Sequence, residues 1–97
     1  VEVMSAADVA AAPKLLVAAD VNAVPPLGIA GVGVMDAGVA LPGSVGGKAI
    51  ALGALAIGNV KYQVQHRLLV QMREAAKPVY FGFDAAFDLA RAALAEA

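Results

Sequence analysis

Residues 14–34 read KLLVAADVNAVPPLGIAGVGV, and the change of character at Asp20 sets the fold class. In residues 14–20 (KLLVAAD) the apolar side chains run on without alternating, which is the pattern of a parallel strand covered on both faces. Residues 21–34 (VNAVPPLGIAGVGV) cannot continue as regular structure. Pro25-Pro26 forbids helix, and Gly28, Gly31 and Gly33 relax the backbone directly after it. A loop this apolar exposes few groups that water rewards, so a ligand or a second layer of protein is expected to cover it.

Upstream, Ser5-Ala-Ala-Asp8 has the form of an N-cap followed three residues later by an acid, and predicts a short helix over residues 6–12 that Pro13 ends. Helix, buried strand and loop together describe the tail of an α/β sheet. Asn22 then stands at the carboxyl end of the strand, where open α/β sheets bind ligands in the crevice beyond their strands. The competing reading is that Asn22 and Asp20 bond neighbouring backbone groups in a turn.

Downstream, residues 38–47 (GVALPGSVGG) have the glycine and proline density of a loop, and Lys48 opens an Ala/Leu/Ile segment of good helical propensity. A helix is expected to begin near Gly46 or Gly47, apolar on nearly every face, with a break, kink or close backbone approach at Gly58-Asn59. Ile57, Val60, Val64, Leu68, Met72 and Ala75 recur at steps of three and four, one apolar stripe on a long amphipathic helix that Pro78 stops. Residues 79–83 form a short aromatic connection. Asp84 is the expected N-cap of a last helix over 85–96, with a stripe of Phe87, Ala90 and Leu94 and with Ala86 and Leu89 on its edge. Lys61 lies beside the expected break. It reads either as a snorkelling surface lysine or as a lysine facing a cleft, where Gly58 lets a flat ligand approach the backbone. His66 and Arg67 lie off the stripe, with no partner histidine or carboxylate three or four residues on.

The chain has 97 residues, enough for one small domain and too few for two. Its hydrophobic share of 61% and charged share of 15% compare with roughly 45–50% and 25% in an ordinary soluble domain. Alanine inflates the first figure; the sharper explanation is a fragment whose apolar faces belong against further chain. A membrane span needs about 20 consecutive apolar residues, and the apolar runs here are closed by lysines or broken by prolines. Glu2 and Asp8, without a basic region before an apolar core, argue against a signal peptide. Seven basic and eight acidic side chains include no basic run that could track a phosphate backbone, so nucleic acid is not an expected partner. With no cysteine and one histidine, neither a disulfide nor a zinc cluster is expected, and no metal site is assigned. Residues 28–33 (GIAGVG) have the wrong spacing for a dinucleotide fingerprint, and no nucleophile elbow, zinc helix or P-loop is present.

Taken together, residues 17–32 (VAADVNAVPPLGIAGV) and 46–67 (GGKAIALGALAIGNVKYQVQHR) resemble the carboxyl-terminal part of the bacterial NAD(P)-dependent methylene-tetrahydromethanopterin dehydrogenases. The shared pattern is D-x-N-A-x-P-P-L-G-I, then G-G-K and G-A-L-x-I-G, then a lysine and an H-R pair. It runs through essentially the whole chain.

The resemblance implies an α/β fold: the end of a Rossmann-type parallel-sheet domain, with long carboxyl-terminal helices crossing to a second domain, all part of a larger subunit with a cleft between its domains. Residues 1–45 would supply the terminal helix, strand and active-site loop of the nucleotide domain, and residues 46–97 the interdomain long helix and the carboxyl-terminal helix. The glycine-rich fingerprint of the family would lie upstream. The implied reaction passes a hydride from methylene-tetrahydromethanopterin to NADP or NAD, giving the methenyl form, in the one-carbon metabolism of the cytoplasm. Asn22, Pro25, Pro26 and Gly28 would shape the wall around the cofactor's nicotinamide, and Lys61, the implied catalytic residue, would reach the pterin. The implied partners are the pterin substrate, the rest of the same subunit and further copies in a homo-oligomer, with neither nucleic acid nor membrane. Two other readings stay open: a methylene dehydrogenase using tetrahydrofolate, and a noncatalytic helical module that binds a partner protein.

Overall fold

The computed structural model describes residues 1–96; Ala97, the last residue of the expected second segment, lies outside them. The chain forms two compact units, Val1–Ile57 and a second that begins at Gly58.

The first unit opens with helix α1 (Ala6–Ala10), started by the capping box that the sequence predicts. The Asp8 amide donates to the Ser5 hydroxyl at 3.2 Å, and the Ser5 amide donates to the Asp8 carboxylate at 2.9 Å. The Ser5 backbone amide, and after it the Ser5 hydroxyl, which donates to the same carboxylate at 2.9 Å, hold the Asp8 carboxyl below its ordinary range. So short a helix has little stability of its own, and the complete burial of Val9 ties it to the core. Replacing Ser5 by Ala should lower stability by about 1 kcal/mol, read as a drop in melting temperature; an unchanged transition would mean that Val9 alone holds α1.

Three short strands follow: β1 (Val17–Ala19), β2 (Ala37–Ala40) and β3 (Ile50–Leu52). They form one sheet in the order β1-β3-β2. β1 runs parallel to β3, with Val17 opposite Ile50, Ala18 opposite Ala51 and Ala19 opposite Leu52. β2 runs antiparallel to β3, with an irregularity between Ala37 and Val39. The sheet is therefore mixed, which corrects the expectation of a parallel sheet. Residues 38–47 are also more than a loop: they contain most of β2 and a return short enough to join antiparallel neighbours.

The expected helix start at Gly46 or Gly47 is likewise corrected. Both glycines have positive φ, 68° and 65°, a left-handed conformation that no right-handed helix can pass through. They close a 3-10 turn, Val45–Gly47, and the apolar residues after it extend into β3. A short apolar run is ambiguous between strand and helix, and here the pairing partners on both sides decide it. β1 is covered on one face rather than two, since Ala18 is buried while Val17 and Ala19 are exposed. The core gathers Val9, Ala18, Val32, Leu41, Ala49 and Ala51, with Met4, Leu15 and Ile29 packed against it.

Helix α2 (Ala54–Glu74) starts directly after β3. The turn at residues 33–36 caps its start: the Gly53 amide donates to the Asp36 carbonyl at 2.8 Å and the Leu55 amide to the Val34 carbonyl at 3.0 Å. That turn is itself closed by the Gly33 amide, which donates to the Asp36 carboxylate at 2.6 Å. α2 then continues through Gly58-Asn59 without interruption, so the expected break is absent. A helix accepts an isolated glycine at a cost of about 1 kcal/mol relative to alanine, and nothing lies within 4 Å of the position a Cβ would take at Gly58.

The second unit contains the rest of α2 and helix α3 (Phe83–Ala95). On α2 the half-buried residues include Val60, Val64, Arg67 and Leu68, whereas Met72 is exposed. α3 starts two residues earlier than expected, with Gly82 at the N-cap. Asp84 is thus inside the first turn, where its charge complements the helix dipole, and its carboxylate accepts from the Ala85 amide at 2.9 Å. The stripe read on this helix is also corrected. Ala93 is buried and Ala86, Leu89 and Ala90 are half-buried, while Phe87 and Leu94 are exposed. Among the described residues, no helix is long and apolar enough to cross a membrane.

Candidate functional site

The loop that follows β1 is built around one carboxylate. The backbone of Asp20 is held in the sheet, its amide donating to the Leu52 carbonyl at 2.9 Å. Its side chain is only 8% exposed and turns back into the loop. There the Asn22 amide donates to Oδ1 at 2.9 Å and the Ile29 amide to Oδ2 at 3.0 Å. One buried group thus grips the loop at its first residues and at its last. Those bonds, that of Asn22 foremost and then that of Ile29, hold the Asp20 carboxyl below the usual carboxylate range against the opposing effect of burial. Because the folded pKa lies below the unfolded one, the stabilisation is complete above about pH 4 and is lost as the pH falls through the folded value.

Asn22 takes the turn reading. Its Oδ1 accepts from the Val24 amide at 3.1 Å, and its Nδ2 donates to the Pro26 carbonyl at 3.0 Å. The side chain therefore shapes the loop from within. Pro25 and Pro26, joined by a cis peptide bond, are exposed, as are Val21 and Val24. Gly28 is approached by the Asp20 carboxylate: a Cβ there would lie 3.2 Å from Oδ1 and 3.3 Å from Oδ2. Its carbonyl accepts from the amides of Val3 and Met4 at 2.8 and 3.0 Å, and the Ala30 amide donates to the Met4 carbonyl at 2.9 Å. The chain's first residues thus clamp the far end of the loop.

The structure brings Asn22, Pro25, Pro26 and Gly28 together on this one loop of the first unit. Lys61 belongs to the second unit, where it is exposed on α2. Asp20, to which the resemblance gives no role, joins the loop residues as the one that organises the loop. Its signal was the D-x-N spacing, since an aspartate two residues before another polar residue is a common turn former.

The exposed part of the loop, Val21, Val24, Pro25 and Pro26, is apolar. It is poorly suited to a pyrophosphate, because the nearby charged group, Asp20, is an anion already engaged by amides.

In the second unit, a pocket of about 380 Å³ is lined by His66, Arg67, Val70, Gln71 and Leu89. Arg67 in its wall is paired with Glu96, whose Oε1 and Oε2 accept from Nη1 and Nη2 at 3.3 and 2.5 Å. This partner is 29 residues along the chain, beyond any helical spacing rule. His66 stacks on Tyr62 with ring centroids 6.1 Å apart. None of the predicted site residues lines the pocket. Among the described residues, no cluster of three or more His, Cys, Asp or Glu side chains could hold a metal ion.

No family model matches the chain. The chain is 52% identical over 90 residues to the NAD(P)-dependent methylenetetrahydromethanopterin dehydrogenase of Methylorubrum extorquens, a match that takes in 93% of the chain and 29% of the relative. Nearly all of the chain is therefore similar to one segment of that dehydrogenase, and spans less than a third of its length.

Proposed function

We propose that this chain is a segment, carboxyl-terminal in position, of an NAD(P)-dependent methylene-tetrahydromethanopterin dehydrogenase. The observation that carries the reading is the 52% identity over 93% of the chain. In this reading residues 1–45 are the end of a Rossmann-type nucleotide domain, and the long helix within residues 46–97 leads toward a second domain. The rest of the subunit and its copies in a cytoplasmic homo-oligomer cover the apolar surface that is exposed here, including Tyr80 at 93% and Phe83 at 84%.

The reaction breaks one C–H bond of the methylene group. The hydrogen leaves with both electrons, and the carbon is left as the methenyl cation, without proton transfer at that carbon. NADP or NAD, when bound, supplies the acceptor for that hydride. The protein's contribution is then placement and the exclusion of water, effects that reach several kcal/mol when reacting atoms are well aligned. Pro25, Pro26 and the backbone at Gly28 offer the nicotinamide an apolar wall. Asn22 acts within the loop by fixing its Val24–Pro26 arc. Lys61, through its ammonium, holds an oxygen or carboxylate of the pterin carrier.

The test is an assay of the full-length protein that contains this chain. It is given methylene-tetrahydromethanopterin or methylene-tetrahydrofolate, with NADP or NAD, and reduced nicotinamide is followed by its ultraviolet absorbance. Turnover preferring the methanopterin carrier is expected. Faster turnover with the folate carrier would replace the substrate, and reduction with neither would leave the noncatalytic helical module.

A further inference from the structure

We propose that Asp20 is the positioning residue of the candidate site, holding the loop of residues 21–28 in its working shape through the Asn22 and Ile29 amides. The inference rests on reading that loop as the nicotinamide wall. Three features of the geometry support it. First, the carboxylate faces inward, Asp20 being 8% exposed, and its two oxygens receive amides from opposite ends of the loop. Second, its backbone amide is bonded to Leu52 of β3, so the anchor is fixed to the sheet. The position of the loop is thereby tied to the sheet by one residue. Third, Gly28 leaves room for this carboxylate, whose oxygens would lie 3.2 and 3.3 Å from a Cβ at that position.

The chain of bonds runs onward from the anchor. Holding the Asn22 amide sets the direction of the Asn22 side chain, which reaches the Val24 amide and the Pro26 carbonyl. The exposed Pro25-Pro26 surface is thus set two bonds away from Asp20, although Asp20 itself is buried and touches no ligand. An ionised carboxylate suits this task because it can accept at both oxygens at once. Asparagine has one carbonyl oxygen, so it can keep one of the two amides and must turn its NH2 toward the other. Alanine keeps neither.

Asp20→Asn and Asp20→Ala are made in the full-length protein, and two quantities are read. In the first, hydrogen exchange at the Asn22 and Ile29 amides should quicken by about tenfold or more in Asp20→Ala. Exchange at Ile50, whose amide donates to the Leu16 carbonyl within the sheet, should stay close to wild type. In the second, KM for the nicotinamide cofactor should rise by roughly tenfold while KM for the pterin moves little, with Asp20→Asn intermediate in both measurements. Unchanged exchange at Asn22 and Ile29 would overturn Asp20 as the anchor. Faster exchange with an unchanged cofactor KM would overturn its positioning role. Absence of hydride transfer in the wild-type protein is a separate result that removes the dehydrogenase reading, and the exchange data still judge the anchor.

Discussion

Alanine in place of Gly53 is expected to cost the chain about 3 kcal/mol or more, from overpacking together with the loss of buried backbone hydrogen bonds. Gly53 is buried between the end of β3 and the start of α2. A Cβ at this position would overlap the Gly33 carbonyl oxygen and lie 2.5 Å from the Val34 carbonyl oxygen and 2.7 Å from its carbon. All of these atoms are backbone, so no side-chain rotation can make room. The 33–36 turn would have to move, and with it the bonds from Gly53 to Asp36 and from Leu55 to Val34. Small domains start from only about 5 kcal/mol or somewhat more, so the loss should show as a large fall in the denaturant midpoint. Gly58→Ala is the matched control: nothing lies within 4 Å of its Cβ position, and the change to a better helix former should stabilise by up to about 1 kcal/mol. Equal midpoints for Gly53→Ala and the unaltered chain would mean that the 33–36 turn is free to shift.

Lys61→Ala should lower kcat/KM for the pterin by about tenfold to a hundredfold, the equivalent of the roughly 1.5–3 kcal/mol that a charged hydrogen bond contributes. Electrostatics decides where the ammonium can act. Removing a hydride leaves positive charge on the carbon, and a second positive charge at 4 Å would oppose it by about 4 kcal/mol at an effective dielectric constant of 20. In the proposed reading Lys61 would therefore act on an oxygen or carboxylate away from the reacting carbon. Such a contact is present in ground state and transition state alike, so the effect should appear chiefly in KM for the pterin. KM for the nicotinamide cofactor should hold. Because Lys61 is exposed and enters none of the hydrogen bonds seen among the described residues, the melting temperature should also hold. Near-normal turnover with the methanopterin carrier would sink the assignment.

The parts of this fold that were legible in the sequence are those held by neighbours along the chain. The Ser5–Asp8 box has its donors and acceptors within one turn, and the long stripe of α2 repeats at helical steps whatever lies opposite. β1 was legible as a strand, but its single covered face was not, because cover is a property of distant residues. The loop after β1 was legible as a loop from Pro25-Pro26. The turn reading of Asn22 was available from the start and is the one seen.

β3 shows why the rest was not legible. Residues 48–52 (KAIAL) suit a helix or a strand, and the choice depends on whether hydrogen-bonding edges stand on either side. They do: β1 and β2 flank β3, and the left-handed backbone at Gly46 and Gly47 bars a helix from starting earlier. The Arg67–Glu96 pair spans 29 residues and follows no local spacing. The candidate site divides in the same way, since its residue types and the Asp20–Asn22 turn were readable, while the bond from Ile29 that closes the loop on Asp20 was not.

The sequence by itself determined the class of the fold, the place of the exposed apolar loop and the resemblance that points to hydride transfer. Backbone stereochemistry and side-chain periodicity act within a few residues, and that information is written in order along the chain. Only the tertiary structure decided that the sheet is mixed, that Gly53 must lack a side chain and that Asp20 holds the loop at both ends. Each of these depends on which backbone groups meet across long separations, and a buried polar group takes whatever partner the fold brings to it.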